Sequence, residues 1–453
     1  MRRFAIVQSK TPSEIEKRAV AHLSELLLDI NIDYPICIDS ACPLPEGYTP
    51  IYFEYDRENL NSEEEYRISV KDETIRVAGF DGAGLLYGAI DLFNIYINPI
   101  FYIDVTNNKR QRFDEPLPDF ERTSRPSVKE RGIWTWGHVI YDWKGFIDNM
   151  VKLKMNSLIM WNDFVPYNIT EIIDYAHKSG IAVILGYPWG WDQKCRELSL
   201  SALDGLGERI YERFINEFSG LDIDGIYFQT ITELEDENLG GRVVAEVVTD
   251  FVNDTVKRFY ETHPNLLIEF GLHATSVKNK LEFIAKVDKR VRIVWEDFGA
   301  MPFAYNATDI RNYEETKALA VKCANLRGDD DDYGVVTKSV CCLDWQEFIH
   351  PKGPQNIGVS SRTVRDNRIL RKSRVMRLAT TGWILNGDKA HDTVKALVKA
   401  KSGKLSVNAL VEDGMFGESI PYSVALFAEL LWDSEGDYRE IVKRISLLGH
   451  IEF

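Results

Sequence analysis

The segment Asp224-Gly225-Ile226-Tyr227-Phe228-Gln229-Thr230-Ile231-Thr232-Glu233-Leu234-Glu235-Asp236-Glu237 joins an apolar, strand-like run to four carboxylates. A carboxyl group at such a junction can protonate a departing oxygen or take a proton from water, provided its surroundings tune its pKa. Glu233 stands nearest the strand end expected at Thr230, and Gly240-Gly241 precedes the next helix, so Glu233 is the first candidate for a proton donor. Aromatic and apolar neighbours would raise its pKa toward neutrality, as a donor requires. Glu235, Asp236 and Glu237 read as a solvated acidic run. No His accompanies them at ligand spacing, so neither a metal nor another cofactor is expected.

Similar residue types recur wherever an apolar run ends. In order they are Trp134, Trp136 and His138; Trp161, Asn162 and Asp163; Tyr187, Trp189, Trp191 and Asp192; Gln229, Thr230, Thr232 and Glu233. His273 follows, then Trp295, Glu296 and Asp297, then Asp344 and Trp345, and finally Glu412 and Asp413. Seven of the ten tryptophans fall at these places. A sugar offers C–H faces that flat aromatic rings cover and hydroxyls that carboxylates and amides bind. Cleaving a glycosidic bond also needs carboxyl groups, one to protonate the leaving oxygen and one to activate water or attack the anomeric carbon. A carbohydrate is therefore the expected partner. Trp134, Trp136, Trp161, Trp189 and Trp295 are the expected ring-stacking walls, with Glu296 or Asp297 as base or nucleophile. The competing reading makes each tryptophan a filler of the upper core, and His138 and His273 neutral residues of the wall.

These positions share one mouth only if the runs form a barrel. Eight candidate strands (Gly132–Trp136, Ser157–Trp161, Ala182–Gly186, Gly225–Thr230, Leu267–Gly271, Arg292–Glu296, Val335–Cys342 and Leu405–Val411) alternate with helical periodicities. That is the signature of an α/β fold, here a (β/α)8 TIM barrel, whose chemistry sits at the C-terminal strand ends. Helices expected at Arg365–Thr380 and His391–Lys401 add an insertion. An open doubly wound sheet competes, but no Gly-rich phosphate fingerprint follows the first strand. Ahead of the barrel, strand-like Phe4–Val7, a helix from Ser13 to Leu28, a hairpin through Tyr66–Val70 and Thr74–Ala78, and a helix from Gly82 to Phe93 make a small α+β domain. No tryptophan precedes residue 130, and the proline-bearing stretch 107–127 suggests a junction near 122. The expected domains are 1–122, non-catalytic, and 123–453, catalytic.

Composition narrows the class further. Of 453 residues, 45 % are hydrophobic and 27 % charged, ordinary for a globular chain. With 54 basic and 70 acidic residues the net charge is −16, which argues against nucleic acid or an anionic membrane as partner. No apolar run approaches the ~18 residues of a membrane span. Met1-Arg2-Arg3-Phe4-Ala5-Ile6-Val7-Gln8 turns polar too early for a secretion signal, and six scattered cysteines suit a reducing compartment, so a cytoplasmic protein, open to homo-oligomerisation, is expected.

Several stretches resemble a known pair of families. Glu65-Tyr66-Arg67-Ile68-Ser69-Val70 through Ala83-Gly84-Leu85-Leu86-Tyr87-Gly88-Ala89 is similar to the N-terminal domain of family 20 β-N-acetylhexosaminidases and family 67 α-glucuronidases. Arg131-Gly132-Ile133 with Lys154-Met155-Asn156-Ser157-Leu158 resembles the opening of their barrels. Ala409-Leu410-Val411-Glu412, followed by Pro421, Ala425, Ala428-Glu429 and Leu431-Trp432, resembles the last strand and helix of family 20. The resemblance implies an exo-acting glycoside hydrolase with Glu233 as general acid, and Arg131 and Glu412 on substrate hydroxyls. Family 20 carries an Asp-Glu pair where this chain has Thr232-Glu233, so the Asp that orients the substrate's acetamido group is missing. Family 67 is closer here, and by that likeness Glu296, Asp297 or Asp344 supplies the second carboxylate. Trp345, Asp163 and Gln229 complete the expected substrate contacts. A sugar-binding protein that has lost its chemistry on the same scaffold is the alternative.

Overall fold

The computed structural model describes residues 2–30, 33–101, 115–190, 200–231, 238–273, 278–296, 299–303, 312–340, 350–401, 403–411, 415–446, 448 and 451–452. The chain divides into two compact units, one of residues 1–127 with 178–180 and 436–451, the other of 128–177, 181–435 and 452–453.

The first unit is a six-stranded sheet of β1 (Arg3–Gln8), β2 (Ile36–Asp39), β3 (Tyr48–Tyr55), β4 (Tyr66–Lys71), β5 (Thr74–Gly79) and β6 (Phe120–Ser124), in the order β2-β1-β3-β5-β4-β6. The β4–β5 hairpin turns on Asp72 and Glu73, both with positive φ (48° and 61°). Those angles match the right-handed strand twist. Ser13 caps the helix Glu14–Asp29 by accepting from the Glu16 amide at 3.3 Å. The junction expected at 122 falls inside β6, which pairs with β4. The prolines and charges that suggested that boundary are tolerated beside an edge strand.

The second unit holds the barrel. Its strands are β7 (Glu130–Trp136), β8 (Ser157–Trp161), β9 (Ala182–Gly186), β10 (Gly225–Phe228), β13 (Leu267–His273), β14 (Val291–Glu296), β15 (Tyr333–Thr337) and β16 (Leu405–Leu410). They close in that order, all parallel, with β16 returning to β7. A two-stranded ribbon, β11 (Asn238–Leu239) and β12 (Arg242–Val243), lies between β10 and β13 in the chain. The two helices expected at 365–380 and 391–401 are one helix of 39 residues, Arg362–Ala400. No proline interrupts that stretch, and Gly382 and Gly387 are tolerated in its interior. The strand expected over 335–342 instead spans Tyr333–Thr337.

Side chains along a strand alternate between the two faces, so every second residue enters the barrel. The middle of the interior is apolar and includes Trp134, Ile159, Ile184, Tyr227, Val294, Val336 and Leu410. Below it, at the N-terminal strand ends, Arg292 bridges two acids. Its Nη2 lies 2.7 Å from Glu130 Oε1 and its Nη1 2.8 Å from Glu269 Oε1. Burial pushes the Glu269 carboxyl up to about 7, the nearby Glu130 charge adds to the rise, and the Arg292 guanidinium opposes it.

A carboxyl whose pKa is higher folded than unfolded favours the fold most below its unfolded value and loses that advantage as pH rises through about 7. Each unit of displacement is worth about 1.4 kcal/mol. The melting temperature should therefore fall between pH 5 and pH 8, and Glu269→Gln should flatten that slope. Thermal unfolding across this range checks it; an unchanged slope in the variant would count against the assignment.

Candidate functional site

The same alternation that sends Arg292 to the base and Val294 to the middle carries Glu296 to the C-terminal mouth. There its Oε1 accepts from the Tyr227 hydroxyl at 3.1 Å and from the Gln229 amide, and its Oε2 lies 2.7 Å from Lys338 Nζ. Glu296 and Lys338 are buried, with side chains 5 % and 4 % exposed. Burying an ion pair is costly unless extra hydrogen bonds satisfy it, which Tyr227 and Gln229 do. Tyr227 is held well above the ordinary phenol range by burial and by the Glu296 and Glu269 charges, so it stays a neutral donor.

Tyr227 also joins the aromatic cluster. Trp134 meets Trp136 edge to face at 4.6 Å between centroids, Tyr227 at 5.9 Å and Trp161 at 6.3 Å. Two glycines make room. A Cβ on Gly271 would come within 1.9 Å of Tyr227 Oη, and one on Gly186 within 2.9 Å of the Trp161 ring. Trp134, Trp136 and Trp161 therefore do converge, but they are 3 %, 6 % and 5 % exposed and cover one another rather than presenting open faces.

Three expected contacts are corrected. Trp189 is fully buried, stacked on Phe228 at 3.7 Å and on Phe259 of the helix Val244–Thr262 at 5.4 Å, so it packs barrel against helix. Trp295 lies between the inward-facing Val294 and Glu296, and alternation turns it outward, where it is buried. Arg131 stands at the opposite end of the barrel from the mouth. Its guanidinium donates to the Val128 carbonyl at 2.8 Å, the Lys129 carbonyl at 2.9 Å and the Lys154 carbonyl at 2.9 and 3.1 Å, over the Trp432 ring. Those bonds hold the strand entrance together.

His138 and Asp163 line a hollow with Asn162, Phe164 and Gln355. Asp163 Oδ2 lies 2.7 Å from His350 Nδ1. Burial pushes His138 down to about 4, only partly offset by the Asp163 charge. Glu233, Asp297, Asp344, Trp345 and Glu412 lie outside the described residues, as do Trp191 and Thr232. Of His273 the strand position is described, in register with Glu296. Among the described residues no three His, Cys, Asp or Glu side chains meet in a metal site.

Sequence reasoning passed over Tyr227, Lys338 and His350. Tyr227 had a signal, being in phase with Gly225 and Gln229 on one strand, and Lys338 is likewise in phase with Val336. His350 had none, because a long connection separates it from β15.

No family model matches the chain, and no curated protein matches it. Solved structures do resemble it. One is a GH138 enzyme targeting pectin rhamnogalacturonan II, at 13 % identity and TM-score 0.56 over 97 % of this chain and 52 % of that one. Another is a family GH115 4-O-methyl-α-glucuronidase with specificity for decorated arabinogalactans, at 15 % identity and TM-score 0.54 over 98 % of this chain and 59 % of that one. A third is the GH20 β-N-acetylhexosaminidase from Streptomyces coelicolor A3(2), at 12 % identity and TM-score 0.57 over 99 % of this chain and 91 % of that one. The chain thus spans little more than half the length of the first two. At these identities the likeness establishes the fold alone, a (β/α)8 barrel with an N-terminal α+β domain.

Gly271→Ala should displace Tyr227 and lower stability by about 1–3 kcal/mol, the usual range for overpacking, as measured by denaturant unfolding. His138 should titrate near 4, so its ring resonances in an NMR titration should not move between pH 8 and pH 6.

Proposed function

We propose that the chain is an exo-acting glycoside hydrolase on a small oligosaccharide or glycoside, with Glu233 as general acid and Glu296 as the second carboxylate. The observation that carries this reading is Glu296 itself, a buried carboxylate at the C-terminal end of a barrel strand, fixed by three donors beside an aromatic cluster. A structural ion pair in a barrel does not need to stand at the mouth, and the base already has its own in Arg292, Glu130 and Glu269. Glycosidic cleavage needs one carboxyl group protonated and another ionised. Glu296 suits the ionised role. Glu233, on the connection after β10, supplies the other by its place in the sequence. The hexosaminidase and glucuronidase likenesses name the substrates to try first, an N-acetylglucosaminide and a glucuronide.

A second reading has its own support. The Thr at 232, where family 20 has an Asp, also fits a sugar-binding protein without turnover. Chromogenic N-acetylglucosaminide, glucuronide, galactoside and glucoside, assayed beside calorimetric binding of the free sugars, separate the two. Turnover of one glycoside is expected, and Glu233→Gln should lower it by about 10²–10⁴-fold, the usual worth of a general acid. Binding with no chromophore released from any of the four would favour the second reading.

A further inference from the structure

Lys338 follows β15 and reaches across to Glu296 on β14, with its own side chain almost wholly buried. The pair is joined by Tyr227 from β10 and Gln229 just after it, so one carboxylate accepts from three side chains. Other charged and titratable residues lie on the same and the neighbouring strand. His273 on β13 is in register with Glu296, while Glu269 and Arg292 stand two interior layers below, beneath Val294, and are engaged with each other and with Glu130. Among the described residues, it is the ammonium of Lys338 that pairs directly with Glu296. An ionised carboxylate completes all of these bonds, whereas a protonated one would lose an acceptor site and the attraction of the adjacent buried ammonium.

From this arrangement we propose that Lys338 is a positioning residue that keeps Glu296 ionised and oriented, so that Glu296 acts as the proton acceptor of the pair and never as its acid. The inference rests on the glycosidase reading for its catalytic meaning. In a direct displacement, water adds to the anomeric carbon and gives its proton to Glu296. The bond to the leaving oxygen breaks, and that oxygen takes the proton of Glu233. Fixing one group as the acceptor before substrate arrives removes the ambiguity of which carboxyl carries the proton.

Lys338→Met and Lys338→Arg, each checked for folding by thermal unfolding, test this in two ways. With glutamate labelled at the side-chain carboxyl and Glu296→Gln used for assignment, ¹³C NMR titration should place the Glu296 transition at least one pH unit higher in Lys338→Met than in the parent, with Lys338→Arg near the parent. On a turned-over glycoside, the acidic limb of the kcat/KM profile should move upward by the same amount in Lys338→Met and return with Lys338→Arg. Tyr227→Phe, which removes a neutral donor, should shift both readouts in the same direction by less, and it stands in for Lys338→Met if that variant does not fold. A Glu296 transition that does not move in Lys338→Met, or in its stand-in, would overturn the proposal. The NMR result does not need turnover. A shifted resonance without any hydrolysed glycoside would refute the hydrolase reading and leave the role of Lys338 standing, while hydrolysis with an unmoved acidic limb would do the reverse.

Discussion

The site depends on the two-residue alternation of side chains in a closed parallel barrel. On β14 alone it sends Arg292 to the base, Val294 to the apolar middle and Glu296 to the mouth, while Trp295 between them faces the helices. Closure makes this strict, because a one-residue slip of β14 would turn Arg292 and Glu296 toward the helices and Trp295 into the barrel. The charges at the two ends are then separated by the layer of Trp134, Ile159, Ile184, Tyr227, Val294, Val336 and Leu410.

The two charged ends serve different purposes. At the base, Glu130 and Glu269 share one guanidinium, and burial leaves Glu269 with a raised pKa, a sign that charge is tolerated there rather than optimised. At the mouth, Glu296 accepts from three donors of different chemistry, an ammonium, an amide and a phenol. Such a set favours a single charge state and a single orientation. Tyr227 links the two functions, since its ring packs on Trp134 and Trp161 while its hydroxyl holds the carboxylate. Gly271 is glycine because that hydroxyl occupies the place of its Cβ.

The eight strands were legible because buried parallel strands read as short apolar runs between helical periods, and seven of the runs contain or nearly coincide with the observed strands. Less legible were β2, β3 and β6 of the first unit: β2 and β6 bury no residue fully, and β3 carries Pro50 in a run whose buried positions do not alternate. Of the site, Glu296 and Gln229 were named from their place after apolar runs, and Trp134, Trp136 and Trp161 converge as their positions implied. Trp189 and Trp295 were misplaced because being close to a strand end says nothing about which face a side chain takes, and both take the outer one. Arg131, expected on substrate only from the family likeness, lies at the base.

Sequence alone settled what kinds of groups could meet and on what scaffold, because apolar periodicity and residue type are local properties that survive without knowledge of neighbours. It could not choose the partner of a buried charge. Lys338, Tyr227 and Gln229 come from different parts of the chain, 42, 69 and 67 positions from Glu296. Only barrel closure brings them to one carboxylate, since a hydrogen bond requires approach within about 3 Å, and no one-dimensional pattern encodes that distance.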